Sequence, residues 1–167
     1  MSGPTIRRAR TADIRGIRRL VAPLAERRVL VAKDAVTYYE GVQEFRVAED
    51  EDGTIVGCGA LHVMWEDLAE IRTLAVATDH LGSGLGGQIL EGLVDDAREL
   101  GVQRLFCLTF ETHFFTRHGF EPIEGQAVTA DVYAELLRSY DEGVAEFLDL
   151  ERVKPNTLGN TRMLRTL

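Results

Sequence analysis

Four glycines fall within six residues in the run His80-Leu-Gly-Ser-Gly-Leu-Gly-Gly87, directly before a segment whose apolar residues recur at helical spacing. Backbone N–H groups unscreened by Cβ, gathered at the positive end of a helix, bind a phosphate or pyrophosphate. The plain alternative is a tightly packed strand-to-helix turn. A P-loop is excluded, because no Gly-Lys-Ser/Thr follows the glycines. Gly82, Gly84 and Gly87 satisfy G-x-G-x-x-G formally, but a dinucleotide site wants an early strand–helix–strand unit and an acidic residue about 20 positions on. Cys107 lies near that acidic position, with Glu111 a poor late substitute.

The elements around the loop read as follows. A strand over 5–10 leads into a helix whose apolar face is Ile14, Ile17, Leu20, Val21 and Leu24, with residues 11–13 as its cap and Pro23 kinking or ending it. A second short helix surrounds 36–41. Strands over 45–48, 54–65 and 70–76, joined by turns at 49–53 and 66–69, make an antiparallel meander. After the glycines, Ile89, Leu90, Leu93, Val94, Ala97 and Leu100 mark a long helix capped by Gly101, and 104–109 is an apolar strand. Strand, helix and strand in that order demand a right-handed crossover and a parallel pair. A short helix over 112–118 ends at Gly119, a strand follows at 120–124, and 131–140 reads as helix. Residues 142–153 are ambiguous, and 162–167 close as a last strand. The expected fold is a single α+β domain over 1–167, a three-layer arrangement with a mixed central sheet and helices on both faces.

Composition narrows the partners. A chain of 167 residues, 45% hydrophobic and 28% charged, buries a core without staples. A net charge of −8 and a pI near 5.0 disfavour nucleic acid and anionic membranes as partners. No apolar run approaches the roughly 20 residues that span a bilayer, and the arginine-rich start has no apolar signal region. Cys58 and Cys107 sit in apolar runs, outside any ligand-type cluster, so a reduced cytoplasmic protein without a metal is expected. Eight arginines between Arg7 and Arg28 read as a solvated helix face, or as a local phosphate or carboxylate site.

The segment Val76-Ala-Thr-Asp-His-Leu-Gly-Ser-Gly-Leu-Gly86 resembles the acetyl-CoA loop of the GNAT N-acetyltransferase superfamily, and Phe114-Phe-Thr-Arg-His-Gly-Phe120 resembles its second signature. The order of elements agrees over nearly the whole chain. The resemblance implies acetyl-CoA as cosubstrate, held by Leu81, Gly82, Ser83, Gly84, Leu85, Gly86 and Gly87, by the strand Leu74-Ala-Val76 and by Phe115. It implies an oxyanion donor among the backbone N–H groups of that strand, which splays from its neighbour to admit the pantetheine arm. Two positions depart from the pattern: Leu81 stands where the family has Arg or Gln, and Phe115 where many members have a tyrosine acid.

Within the superfamily, the chain looks like the acetyltransferase domain of bacterial N-acetylglutamate synthases. The matching segments are Ala69-Glu-Ile71 entering Leu74-Ala-Val76, Leu105-Phe-Cys-Leu-Thr109, His113-Phe-Phe115, Arg117-His-Gly-Phe120, and Asn156 with Asn160-Thr-Arg-Met-Leu164. That likeness implies acetyl transfer to the α-amino group of L-glutamate by a short, stand-alone form lacking the kinase-like domain. An attacking amine must be neutral. Glu70 is the candidate base, against a strand-edge or turn carboxylate. Arg72, two residues on, shares its strand face and could clasp a carboxylate, or form an ordinary ion pair. Lys154 and Arg162, with Lys33 behind them, are further carboxylate candidates. Thr112 is the nearest hydroxyl to serve as acid, against a helix cap, with His113 as a substitute. His62, His118 and Cys107 read as structural. The rivals are another amine acceptor (glutamine, another amino acid, a polyamine, a protein N-terminus), a non-catalytic acetyl-CoA sensor, and, distantly, an oxidoreductase. A homodimer is expected only from the frequency of that arrangement.

Overall fold

A computed structural model describes residues 2–27, 30, 33–154 and 158–167. Seven strands, β1 (Thr5–Arg8), β2 (Phe45–Glu49), β3 (Ile55–Trp65), β4 (Leu68–Val76), β5 (Arg104–Thr109), β6 (Glu121–Pro122) and β7 (Thr161–Thr166), form one mixed sheet in the order β1-β2-β3-β4-β5-β7-β6. The helices are α1 (Ile14–Glu26), α2 (Ala35–Glu40), α3 (Leu85–Leu100), α4 (Thr112–Arg117), α5 (Ala130–Leu136) and α6 (Glu142–Phe147). The chain divides into two compact units, Met1–His62 with Ile71–Leu100, and Val63–Glu70 with Gly101–Leu167.

In the first unit β1, β2 and β3 pair antiparallel, with a bulge between Ala48 and Glu49. Alternation along β3 explains its small residues. Gly57 and Gly59 face α3 so closely that a Cβ would stand 2.7 Å from Ile89 Cδ1 and 2.9 Å from Leu93 Cδ1 respectively. Cys58, between them, points the other way into a cluster with Ile14, Ile17 and Val21 of α1. Helices therefore cover both faces of this part of the sheet. Pro23 does not end α1, the second of the two outcomes expected for it; the helix runs on to Glu26. Leu20, Val21 and Leu24 pack into the same core on both sides of the proline, and this tertiary packing overrides its local penalty. The arginine-rich start is tied down by carboxylates. Arg7 donates two bonds to Asp13, at 2.7 and 3.0 Å, and holds its carboxyl below the ordinary pKa, while Arg8 and Arg46 share Asp96. Arg28 lies outside the described residues.

In the second unit β4 and β5 run parallel, pairing Leu68 with Arg104 and Glu70 with Phe106, as the crossover requires. β7 returns antiparallel beside β5 over six residues. Phe106 meets Phe147 of α6 edge-on at 5.1 Å, at the centre of a cluster with Leu68, Leu136, Val144 and Leu148. β6 is two residues long, shorter than the five expected; Pro122 lacks an N–H for a longer ladder, although Ile123 still donates to the Arg162 carbonyl at 2.8 Å. The ambiguous stretch 142–153 resolves as α6 followed by a 3₁₀ turn at Glu151–Val153.

Candidate active site

The glycine loop belongs to the first unit. After β4 the chain makes a 3₁₀ turn at Thr78–His80, and α3 begins at Leu85, three residues earlier than the apolar periodicity suggests. Gly86 and Gly87 are therefore in its first turn, where N–H groups have no intrahelical partner. Gly82 and Gly84 hold φ of +78° and +86°, and a Cβ on either would meet nothing within 4 Å. Their glycine requirement is conformational, and the space over the loop is open to a ligand. Ser83 Oγ donates to the His80 carbonyl at 2.5 Å and accepts from Leu85 N at 3.4 Å, bracing the turn. Leu85 is buried beside Gly57, while Leu81 is 67% exposed. An open cradle of backbone donors at a sixteen-residue helix fits a pyrophosphate.

The strand before the loop has a feature that its sequence conceals. Thr73, in the middle of β4, holds φ of +55°. For a β-branched residue this conformation costs roughly 1–3 kcal/mol and persists only where surroundings enforce it. The Cys58 thiol donates to the Thr73 carbonyl at 3.3 Å, and Lys33 Nζ donates to the Thr73 hydroxyl at 3.1 Å. Burial pushes the Cys58 thiol up to about 12, so it stays a protonated donor near neutrality. Beyond this kink Leu74 turns toward α3 beside Gly59, Ala75 is buried in the α1 cluster and Val76 is half-buried. Arg72 is half-buried as well.

Glu70 belongs to the second unit. It is the third residue of β4 rather than its entry, because the turn at Glu66-Asp67 is shorter than expected, and it is only 4% exposed. A carboxylate at that depth is neither a turn nor a strand-edge group. Burial, and then the charge of Glu70, push the Cys107 thiol well above its ordinary pKa, so Cys107 is an inert core thiol. Thr112 opens α4 but does not cap it; the cap position is Glu111, whose N–H is taken by Thr109 Oγ1 at 2.8 Å. The Thr112 side chain is half-buried and His113 is exposed. Phe115 is core, meeting Phe114 and Phe120 edge-on at 5.1 Å each. His118 lies against Phe114, and in the first unit His62 pairs with Glu44 at 2.6 Å.

Two carboxylate candidates of the second unit converge. Lys154 Nζ lies 2.5 Å from Asp149 Oδ1, and Arg162 donates through Nη2 to the Phe147 carbonyl. Both therefore hold the turn that ends α6. Asp149 is the left-handed residue of that turn, with φ of +59°, its N–H on the Glu146 carbonyl and the Leu150 N–H on the Ala145 carbonyl, each at 3.1 Å. Arg162 is 9% exposed, and its Nε is buried without a hydrogen-bond partner. Burial lowers its pKa and the Asp149 charge works the other way. A buried guanidinium keeps its charge and pairs best with a carboxylate or another anion. Asn156 lies outside the described residues. Among the described residues no group of three His, Cys, Asp or Glu could hold a metal ion, and no helix is long and apolar enough to cross a membrane.

Residues 18–120 match the acetyltransferase (GNAT) family. A protein of Mycobacterium tuberculosis named amino-acid acetyltransferase is 58% identical over 98% of this chain and 95% of its own length. A solved structure, Rv2747 from Mycobacterium tuberculosis in complex with CoA and NLQ, superposes with a TM-score of 0.94 at 58% identity, covering 98% of this chain and 99% of that one. The N-acetylglutamate synthase from Neisseria gonorrhoeae, complexed with coenzyme A and N-acetyl-glutamate, gives a TM-score of 0.78 at 25% identity over all of this chain. This chain spans 36% of that protein. On this family match and this likeness to an amino-acid acetyltransferase and a CoA-bound structure, the chain belongs to the acetyltransferase (GNAT) family and is an acetyl-CoA-dependent N-acetyltransferase.

Proposed function

We propose that the chain transfers the acetyl group of acetyl-CoA to the α-amino group of L-glutamate, as the first step of arginine synthesis, by direct attack and without a covalent enzyme intermediate. Acetyl-CoA supplies the acyl group as a thioester, whose carbonyl carbon the neutral amine attacks while the C–S bond breaks and the thiolate leaves. Gly86 and Gly87 and the loop before them bind the pyrophosphate through backbone N–H groups. Glu70 takes the proton from the substrate ammonium, directly or through water. A backbone N–H of β4, between Thr73 and Val76, stabilises the negative charge that develops on the carbonyl oxygen. Phe115 has no proton to give, so the second proton, lost by the attacking nitrogen, passes to the thiolate through Thr112 or water.

The observation that carries the acceptor is the pair of cationic side chains, Arg162 and Lys154, gathered on the turn that ends α6. It favours an anionic acceptor and disfavours a polyamine, which would want acidic walls. Arg72 is a further carboxylate partner. The names of the relatives, an amino-acid acetyltransferase and an N-acetylglutamate synthase, support the same reading. Two free, buried cysteines suit a reducing, cytoplasmic setting. The test is thiol release from acetyl-CoA against glutamate, glutamine, aspartate, ornithine and spermidine. Release fastest with glutamate is the expected result. Release with spermidine alone, or with none of the five while acetyl-CoA still raises the melting temperature, would sink the substrate assignment.

A further inference from the structure

The left-handed residue in the middle of β4 is a threonine, and two side chains from elsewhere in the first unit hold it. The Cys58 thiol takes its carbonyl at 3.3 Å, and Lys33 Nζ takes its hydroxyl at 3.1 Å. Lys33 reaches β4 from the segment before α2, where its ammonium also lies over the Tyr38 ring, 5.8 Å from the centroid. Tyr38 is 5% exposed and tilts against Phe45 at 6.0 Å, so the ring beneath the ammonium is part of the core. The lysine is thus steered by a fixed aromatic face at one contact and bonded to the strained residue at the other.

Threonine prefers extended backbone, and a regular β4 would alternate its N–H groups to either side. A residue at φ of +55° breaks that alternation and re-aims the N–H groups that follow it. Those are the groups assigned above to the developing oxyanion. The carbonyl bond from Cys58 fixes one end of the peptide. The hydroxyl bond from Lys33 fixes the side chain, and with it the rotation about the Thr73 Cα.

We infer that Lys33 is a positioning residue for acyl transfer: through the Thr73 hydroxyl, and together with Cys58, it holds the left-handed kink of β4 that sets the direction of the oxyanion donor. The inference rests on the acetyl-transfer reading above and adds to it a role for a lysine outside β4 and the glycine loop. It differs from a carboxylate-binding role for Lys33, because the effect then lies on kcat and not on the KM of the amino acid.

The test compares Lys33→Met, Lys33→Arg and Lys33→Met/Thr73→Gly with the unaltered protein by steady-state kinetics in both substrates. Lys33→Met is expected to lower kcat about tenfold or more with both KM values within about twofold, as misplacing a fixed donor does. Lys33→Arg, which keeps a donor, recovers part of the loss. Thr73→Gly in the Lys33→Met background also recovers part, since glycine adopts φ of +55° without an anchor. A rise in amino-acid KM with kcat unchanged would overturn the inference in favour of direct substrate binding. Failure of Thr73→Gly to recover any rate would overturn it as well. The ¹³Cα and ¹³Cβ shifts of Thr73 supply a readout independent of turnover. They should move from left-handed toward extended values in Lys33→Met, and unchanged shifts would contradict the clamp. If the unaltered protein acetylated no amine, the functional reading would fall, while these shifts would still decide whether Lys33 holds the kink.

Discussion

The two units offer charge-stabilising groups of different kinds. In the first, the anion cradle is backbone: Gly82 and Gly84 in left-handed conformations, then the unpaired N–H groups at the head of α3. In the second, the charged groups are side chains, with Arg162 and Lys154 gathered on the turn that ends α6 and Glu70 buried in β4. Backbone donors bind any phosphate of the right shape and tolerate changes in the side chains around them. Side-chain forks distinguish one acceptor from another and fail when a single residue is altered. On the proposed reading, the first kind suits the phosphates of the cosubstrate, and the second suits recognition of the acceptor.

Substitutions can break or sharpen that contrast, and the largest effect is expected at Glu70. Glu70→Gln should lower kcat by about 100-fold, the ordinary worth of a general base, while acetyl-CoA binding measured by calorimetry stays unchanged. Retained turnover would remove the base assignment. At Arg162, replacement by lysine keeps a charge and loses the fork. The KM for glutamate should rise by about tenfold or more with the KM for acetyl-CoA unaffected, once thermal melting has shown that the variant folds. An effect on acetyl-CoA alone would reverse the division between the units. Gly84→Ala forces a side chain into a left-handed residue at a cost of about 1 kcal/mol, and should raise the KM for acetyl-CoA roughly fivefold while leaving that for glutamate unchanged. The smallest effect is expected at Leu81. Leu81→Arg restores the charge that the sequence lacks at an exposed position, and should lower the KM for acetyl-CoA about twofold, fading as salt is raised.

The same contrast governs what could be read from the sequence. The glycine loop was legible because glycine spacing encodes backbone conformation directly, and the apolar periods on either side fixed a strand before it and a helix after it. Only the start of α3 was misjudged, since Gly86 and Gly87 are poor helix formers inside its first turn. The kink at Thr73 was not legible. Threonine is a strand former, and the anchors that override its preference come from Lys33 and Cys58, 40 and 15 residues away. Glu70 and Arg162 could be named as chemistry-bearing residues, but their burial depends on the ladders with β5, which no local pattern shows. The meeting of Lys154 and Arg162 depends on a turn closed by a left-handed aspartate, in a stretch whose periodicity was ambiguous. Thr112 failed as a cap because α4 takes it as the first helical residue, which leaves the cap position to Glu111.

The most direct measurement incubates the protein with acetyl-CoA labelled with ¹³C in the acetyl group and with L-glutamate, then follows free thiol and the labelled product together by NMR and mass. The account predicts N-α-acetylglutamate in one-to-one ratio with released coenzyme A thiol. Thiol release without an N-acetyl product, or labelled acetyl carried on the protein itself, would contradict direct transfer to the amino acid.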